Sequence, residues 1–154
     1  MAITAPQQLD ANFRTINSNE AFLLVAPWTF VGNATGDTGA HTLFTVTGDV
    51  LISVFGVCSS NLLGAATIEV GVTGNTAGIL AQIADATTLD AGEVWVDDTA
   101  TIGVKAIPTT KLLTNGLDVL LTIGSTDLTG GVVTFYCTYR PLSDGSSVTV
   151  TVPA

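Results

Sequence analysis

The sequence predicts an all-β chain: an antiparallel β-sandwich of jelly-roll type, about nine or ten short strands, with an extended N-terminal arm. Three observations predict it. Short apolar or alternating runs are separated by turn residues at intervals of ~8–12 positions, the rhythm of a sandwich or barrel. The surface chemistry is Thr, Ser, Asn and Gly rather than charge, with 47% hydrophobic and only 11% charged residues, and Thr and Val suit a pleated, half-buried surface. No long segment carries the 3.6-residue period of a helix. "TKLLTNGL" and "GILAQIA" offer a single helical turn at most.

The elements follow in order. Residues 1–20, "MAITAPQQLDANFRTINSNE", are polar and aperiodic and form the arm; residues 21–154 form one domain, long enough for a real core. "AFLLVAPWTFVG" (21–32) is apolar throughout, so it reads as a strand buried on both faces or packed on a partner. Pro27 places it at a sheet edge or a bulge, because proline cannot donate to a ladder. "NATGDTGAH" (33–41) is a loop by its turn residues. "TLFTVTGDVLISVFGVC" (42–58) reads as two strands joined at "TGD". In the second, Val50, Ile52 and Val54 alternate with Leu51, Ser53 and Phe55. "CSSNLLG" (58–64) reads as the turn of a strand–turn–strand, and "ATIEVGVTGNTAGILAQIA" (66–84) as a hairpin turning at "TGNTAG". Residues 85–103 are loop, the short strand "EVWV", and loop. Residues 104–114 hold one or two short strands, and Asn115-Gly116 is a turn. "LDVLLTIGS" (117–125) and "VVTFYCTYRPL" (132–142) are strands joined through "TDLTGG". After "SDGS", Val148, Val150 and Val152 alternate with Thr149 and Thr151 in a final strand, which Pro153 ends.

Thirteen acidic residues against four basic ones give a net charge of −9. Nucleic-acid affinity comes from Lys and Arg neutralising phosphates. Here Arg14, Lys105, Lys111 and Arg140 are scattered, which argues against nucleic acid and anionic lipid as partners. The N-terminus has neither the basic region nor the apolar region of a secretory signal. The uncharged run Val50–Ile68 contains Ser53, Ser59, Ser60, Asn61, Gly56 and Gly64 and reads as strands rather than a membrane helix. Cys58 and Cys137 sit in apolar runs and read as reduced, buried small hydrophobes.

No catalytic motif, cofactor motif or metal-ligand spacing stands out. His41 is the only histidine and reads as a hydrogen-bonded or exposed structural residue. Asp85, Asp90, Glu93, Asp97 and Asp98 cluster in one segment. Converging carboxylates can hold a hard cation or act as a glycosidase pair, but the spacing matches no EF-hand, and a solvated loop guarding a strand edge is the favoured reading. Asn33-Ala34-Thr35 is a chance sequon in a Thr-rich chain. The candidate site is an interface, with Phe22, Leu24, Trp28 and Phe30 on the first strand and Val148, Val150 and Val152 on the last. A bare Val/Thr strand invites aggregation unless it is covered, so the final strand is expected to pair in its own sheet or on a neighbouring subunit.

The segments "GDVLISVFGVCSSNLLGAATIEVGVTGNTAGILAQIADATTLDAGEVWVDDT" and "GLDVLLTIGSTDLTGGVVTFYCTYRPLSDG" resemble small accessory structural proteins of tailed bacteriophages, the capsid decoration (cement) proteins among them. The resemblance covers roughly residues 40–145 and lies in the style of strand and turn. It implies a non-enzymatic virion protein on the capsid exterior, made in the host bacterial cytoplasm, that binds major capsid protein and stabilises the shell, as a homotrimer and without cofactor. The alternative it leaves open is a head-fibre or tail adhesin domain that binds a host-surface glycan.

Overall fold

The structure is a computed structural model and describes residues 8–9, 15–16, 21–106 and 109–151. Along the chain its strands are β1 Gln8–Leu9, β2 Thr15–Ile16, β3 Phe22–Thr29, β4 Gly39–Thr47, β5 Val50–Leu63, β6 Thr67–Val72, β7 Asn75–Ile83, β8 Glu93–Trp95, β9 Thr101–Ile102, β10 Lys111–Leu113, β11 Val119–Gly124, β12 Gly130–Pro141 and β13 Ser147–Val150. A single 3-10 turn, Ala86–Thr88, precedes β8. Among the described residues β1 and β2 pair with each other. The rest form two antiparallel sheets: a first in the order β3-β12-β5-β8-β9, with β10 also on β5, and a second in the order β13-β4-β11-β6-β7. Their inner faces share one core, so the all-β sandwich expected from the sequence is the fold.

The core follows from alternation. Val50, Ile52, Val54 and Cys58 of β5, Val133, Phe135, Cys137 and Tyr139 of β12, and Val119, Leu121 and Ile123 of β11 are all buried. Trp95 meets Phe135 edge-on, with ring centroids 5.9 Å apart. The Trp95 indole Nε1 donates to the Ala81 carbonyl at 3.0 Å and so ties β8 in the first sheet to β7 in the second. A buried Trp is tolerated where its N–H finds such an acceptor.

Two strands differ most from their sequence reading; besides these, β9 lies in a stretch that read as loop and β4 begins three residues early, at Gly39. β3 is an edge strand, which suits Pro27, but only one of its faces is buried. Ala26, Trp28 and Phe30 point inward, while Leu23, Val25 and Val31 are exposed. An all-apolar run carries no phase, so periodicity could not tell one buried face from two. β5 runs unbroken for 14 residues instead of turning at "CSSNLLG". The long partner β12 supplies hydrogen bonds as far as Leu63, and two register shifts absorb the polar stretch around Ser60, as bulges do. The turn falls at Gly64, where φ is +117° and an added Cβ would lie 2.5 Å from the Asp127 carbonyl oxygen, so only glycine fits.

The other turns are where the sequence puts them. β6 and β7 join through Thr73-Gly74, inside the longer turn expected. Asn115 and Gly116 both have positive φ, 58° and 68°, as a two-residue Asn-Gly turn demands. β13 pairs with β4, with Val148 opposite Val46, so the last strand is covered on one side within its own sheet.

Candidate functional site

The inner and outer faces of each strand alternate with period two, so burial on one set of positions assigns the other set to the surface. On the first sheet that surface is mostly apolar. Across β3, β12 and β5 the register aligns Leu23, Thr138 and Ser53 in one row, Val25, Tyr136 and Phe55 in the next, and Pro27, Thr134 and Val57 in a third. Val94 continues the third row on β8. At one end Arg140 and Leu112 flank Leu51. Tyr136 and Phe55 stack at 5.0 Å with an 11° interplanar angle. Leu23 is 59% exposed, Val25 46% and Leu112 59%. None of these positions is acidic, in a chain with thirteen Asp and Glu.

The second sheet differs. Its outward positions include Thr45 and Thr47 of β4, Thr149 of β13, Thr67 of β6 and Glu69, whose carboxylate accepts a hydrogen bond from Gln82 Nε2 at 2.7 Å. Leu120 of β11 is half-buried among them. Thr and Gln are content in water; a row of Leu, Val and aromatic side chains is not. Large contiguous apolar surface on a folded protein marks an interaction site more often than it marks nothing. The outer face of the first sheet is therefore the candidate site.

The interface residues expected from the sequence fall elsewhere. Trp28, Phe30 and Val148 are buried in the protein's own core, and a side chain enclosed in its own subunit presents nothing to a neighbour. Leu24 and Val150 are half-buried against that core. Phe22 is exposed at the rim and stacks on Tyr139 at 5.1 Å. Val152 lies outside the described residues, as does most of the arm 1–20. The residues that do form the face, Leu23, Val25, Phe55 and Tyr136, are the opposite phase of the same strands. In β3 both phases are apolar, so the sequence did not say which faced out.

The other candidates are tied into local structure. Asp85 caps the 3-10 turn, accepting from the Thr87 backbone N–H at 3.0 Å and from its hydroxyl at 2.6 Å. Asp90 accepts from Asn61 Nδ2 at 2.6 Å, and Glu93 accepts from the Asp90 N–H at 2.8 Å. Asp97 pairs with Lys105 at 2.7 Å. The Lys105 hydrogen bond, with the Thr99 N–H behind it, holds the Asp97 carboxyl below its ordinary pKa. Among the described residues no three His, Cys, Asp or Glu side chains converge as a cation would require. His41 Nε2 lies 2.9 Å from the Asp37 carbonyl oxygen, with its ring edge-on to Trp28. Cys58 and Cys137 are free and buried. Burial raises both thiol pKa values, that of Cys137 to about 12.

Among the described residues no helix is long and apolar enough to cross a membrane. No family model and no curated protein matches the chain. Chains of two solved structures are similar to it. One is a chain in the acidic stable capsid structure of Helicobacter pylori bacteriophage KHP30, 15% identical, with a TM-score of 0.46 over 86% of this chain and 98% of that chain. The other is a chain in the capsid asymmetric unit of cyanophage Pam1, 17% identical, with a TM-score of 0.39 over 89% of this chain and 100% of that chain.

Proposed function

We propose that this chain is a non-enzymatic structural component of a bacteriophage particle, a decoration protein that docks on major capsid subunits through the outer face of its first sheet. One observation carries the reading: the two outer faces differ, and only the first is mostly apolar and free of carboxylates. A chain of net charge −9 keeps its acids off the one surface where like-charge repulsion and desolvation would oppose docking. The sequence resemblance names the class of partner. The strand order supports the jelly-roll reading, since β3-β12-β5-β8 lies in one sheet and β4-β11-β6-β7 in the other, the chain changing sheet at most steps along it. Three copies per assembly remain the expectation that the resemblance brings.

The test is a quantitative mass analysis of purified particles. A decoration role predicts this chain at a copy number comparable with that of the major capsid protein, and its loss when the apolar face is altered. A few copies per particle would favour a vertex or tail adhesin instead, and absence from the particle would end the virion reading.

A further inference from the structure

One end of the apolar face is a groove of about 430 Å³, lined by Ala21, Leu51, Leu112, Thr138, Tyr139 and Arg140 among others. Its floor is aliphatic, from Leu51 and Leu112. Its charge is unusual for this molecule. Of only four basic residues in the chain, Lys105 is held by Asp97, whereas Arg140 lies at the groove. Among the described residues Arg140 has no ion-pair partner. The groove is thus a small cationic, apolar spot on an acidic protein, which fits a peptide carrying both apolar and acidic side chains.

Such a peptide is attached at its rim. Ala21, which lines the groove, is where residues 1–20 join the domain. Those residues contain Leu9, Phe13 and Ile16 together with Asp10 and Glu20. We propose that residues 1–20 dock in cis in this groove, setting apolar side chains on Leu51 and Leu112 and an acidic one beside Arg140. Length favours the chain's own segment. The β1–β2 ladder pairs Gln8 with Ile16, so only four residues, 17–20, about 17 Å of extended chain, separate that hairpin from Ala21. A tether this short gives an effective concentration on the order of millimolar, which a segment from another molecule cannot match at ordinary protein concentrations.

Trypsin reads the docking directly on the full chain, because its sites are few and Arg14 lies inside the segment. The Arg14–Thr15 bond should be cut on the order of tenfold more slowly in the native protein than in a free peptide of residues 1–20, since cleavage needs the open form. Leu112→Glu and Arg140→Glu, both at exposed positions, should each restore fast cleavage there while leaving the rate at Lys105 unchanged. If a variant also speeds cleavage at Lys105 it has loosened the domain, and Asp10→Lys, outside the domain, then decides by the same readout. Cleavage at Arg14 as fast in the native chain as in the peptide, or a rate unmoved by the groove and leader variants, overturns the proposal. Protection that disappears on dilution overturns it too, by showing that the groove takes the segment of a second copy.

Discussion

Cys137 lies on the inner face of β12, between Phe135 and Tyr139, with no exposed surface. A thiolate there would lose its hydration without gaining a partner, which is why burial lifts the thiol pKa to about 12. The consequence is a pH dependence with a definite sign. In the unfolded chain the thiol ionises near its ordinary pKa of about 8.5; in the native chain it keeps its proton. Above that pH the unfolded state binds fewer protons than the native state, so stability falls as pH rises. The contribution is intact below about pH 8.5 and is lost up to about pH 12, at a slope of at most ~1.4 kcal/mol per pH unit. Cys137→Ala should cost a constant amount at neutral pH and show a shallower alkaline decline. Urea midpoints of both proteins from pH 7 to 11 check this; parallel curves would mean that the thiol does not ionise on unfolding in that range.

At the scale of elements, β13 closes the second sheet. Val148 adds to the core, and Thr151 N–H bonds to the Leu43 carbonyl at 3.0 Å just beyond the strand. The turn before it is fixed: Ser146 Oγ donates to the Ser143 carbonyl at 2.6 Å and accepts from the Ser143 N–H at 3.2 Å. Deleting residues 146–154 strips this strand from β4 and opens an edge whose inward side chains, Phe44 and Val46, lie in the core. A long bare edge templates aggregation, so the truncated protein is expected in the insoluble fraction, with light scattering of any soluble remainder showing aggregates. A soluble monomer would mean that β4 tolerates an open edge. This strand was legible in the sequence as far as Val150, because Val and Thr alternate cleanly, as were the Asn115-Gly116 turn and the hairpin around Gly74. β5 was not, because "CSSNLL" is polar enough to look like a turn, and only its ladder with β12, far away in sequence, holds it extended. Sheet membership was out of reach for the same reason: it rests on non-local pairs such as Tyr136 with Phe55, which no local pattern encodes.

At the scale of the molecule, the division of surfaces makes the docking proposal testable without knowing the partner's structure. Leu23 and Val25 stand on the outer face of the edge strand, beside Thr138 and Tyr136, and neither is part of the core. Replacing both with Glu should leave the fold intact, since each carboxylate stays in water in the free protein. On docking the same carboxylates would be desolvated against an apolar surface, and two aliphatic contacts would be lost. Each such contact is worth roughly 1–2 kcal/mol of gross burial, so binding to particles should weaken on the order of tenfold or more. The matched control is Thr45→Glu with Thr149→Glu on the second sheet's outer face, where β13 and β4 place the two residues opposite each other. Both double variants carry the net charge from −9 to −11, two added carboxylates on the same −9 chain. General repulsion from the particle therefore acts on both, and a difference between them reports where the charge sits. The measurement is co-sedimentation of each purified variant with particles that lack the protein, alongside its melting temperature. Loss of binding by Leu23→Glu/Val25→Glu with retention by the control supports the first-sheet face. Equal retention by both moves the docking surface elsewhere, and equal loss makes net charge, not the apolar face, the controlling variable.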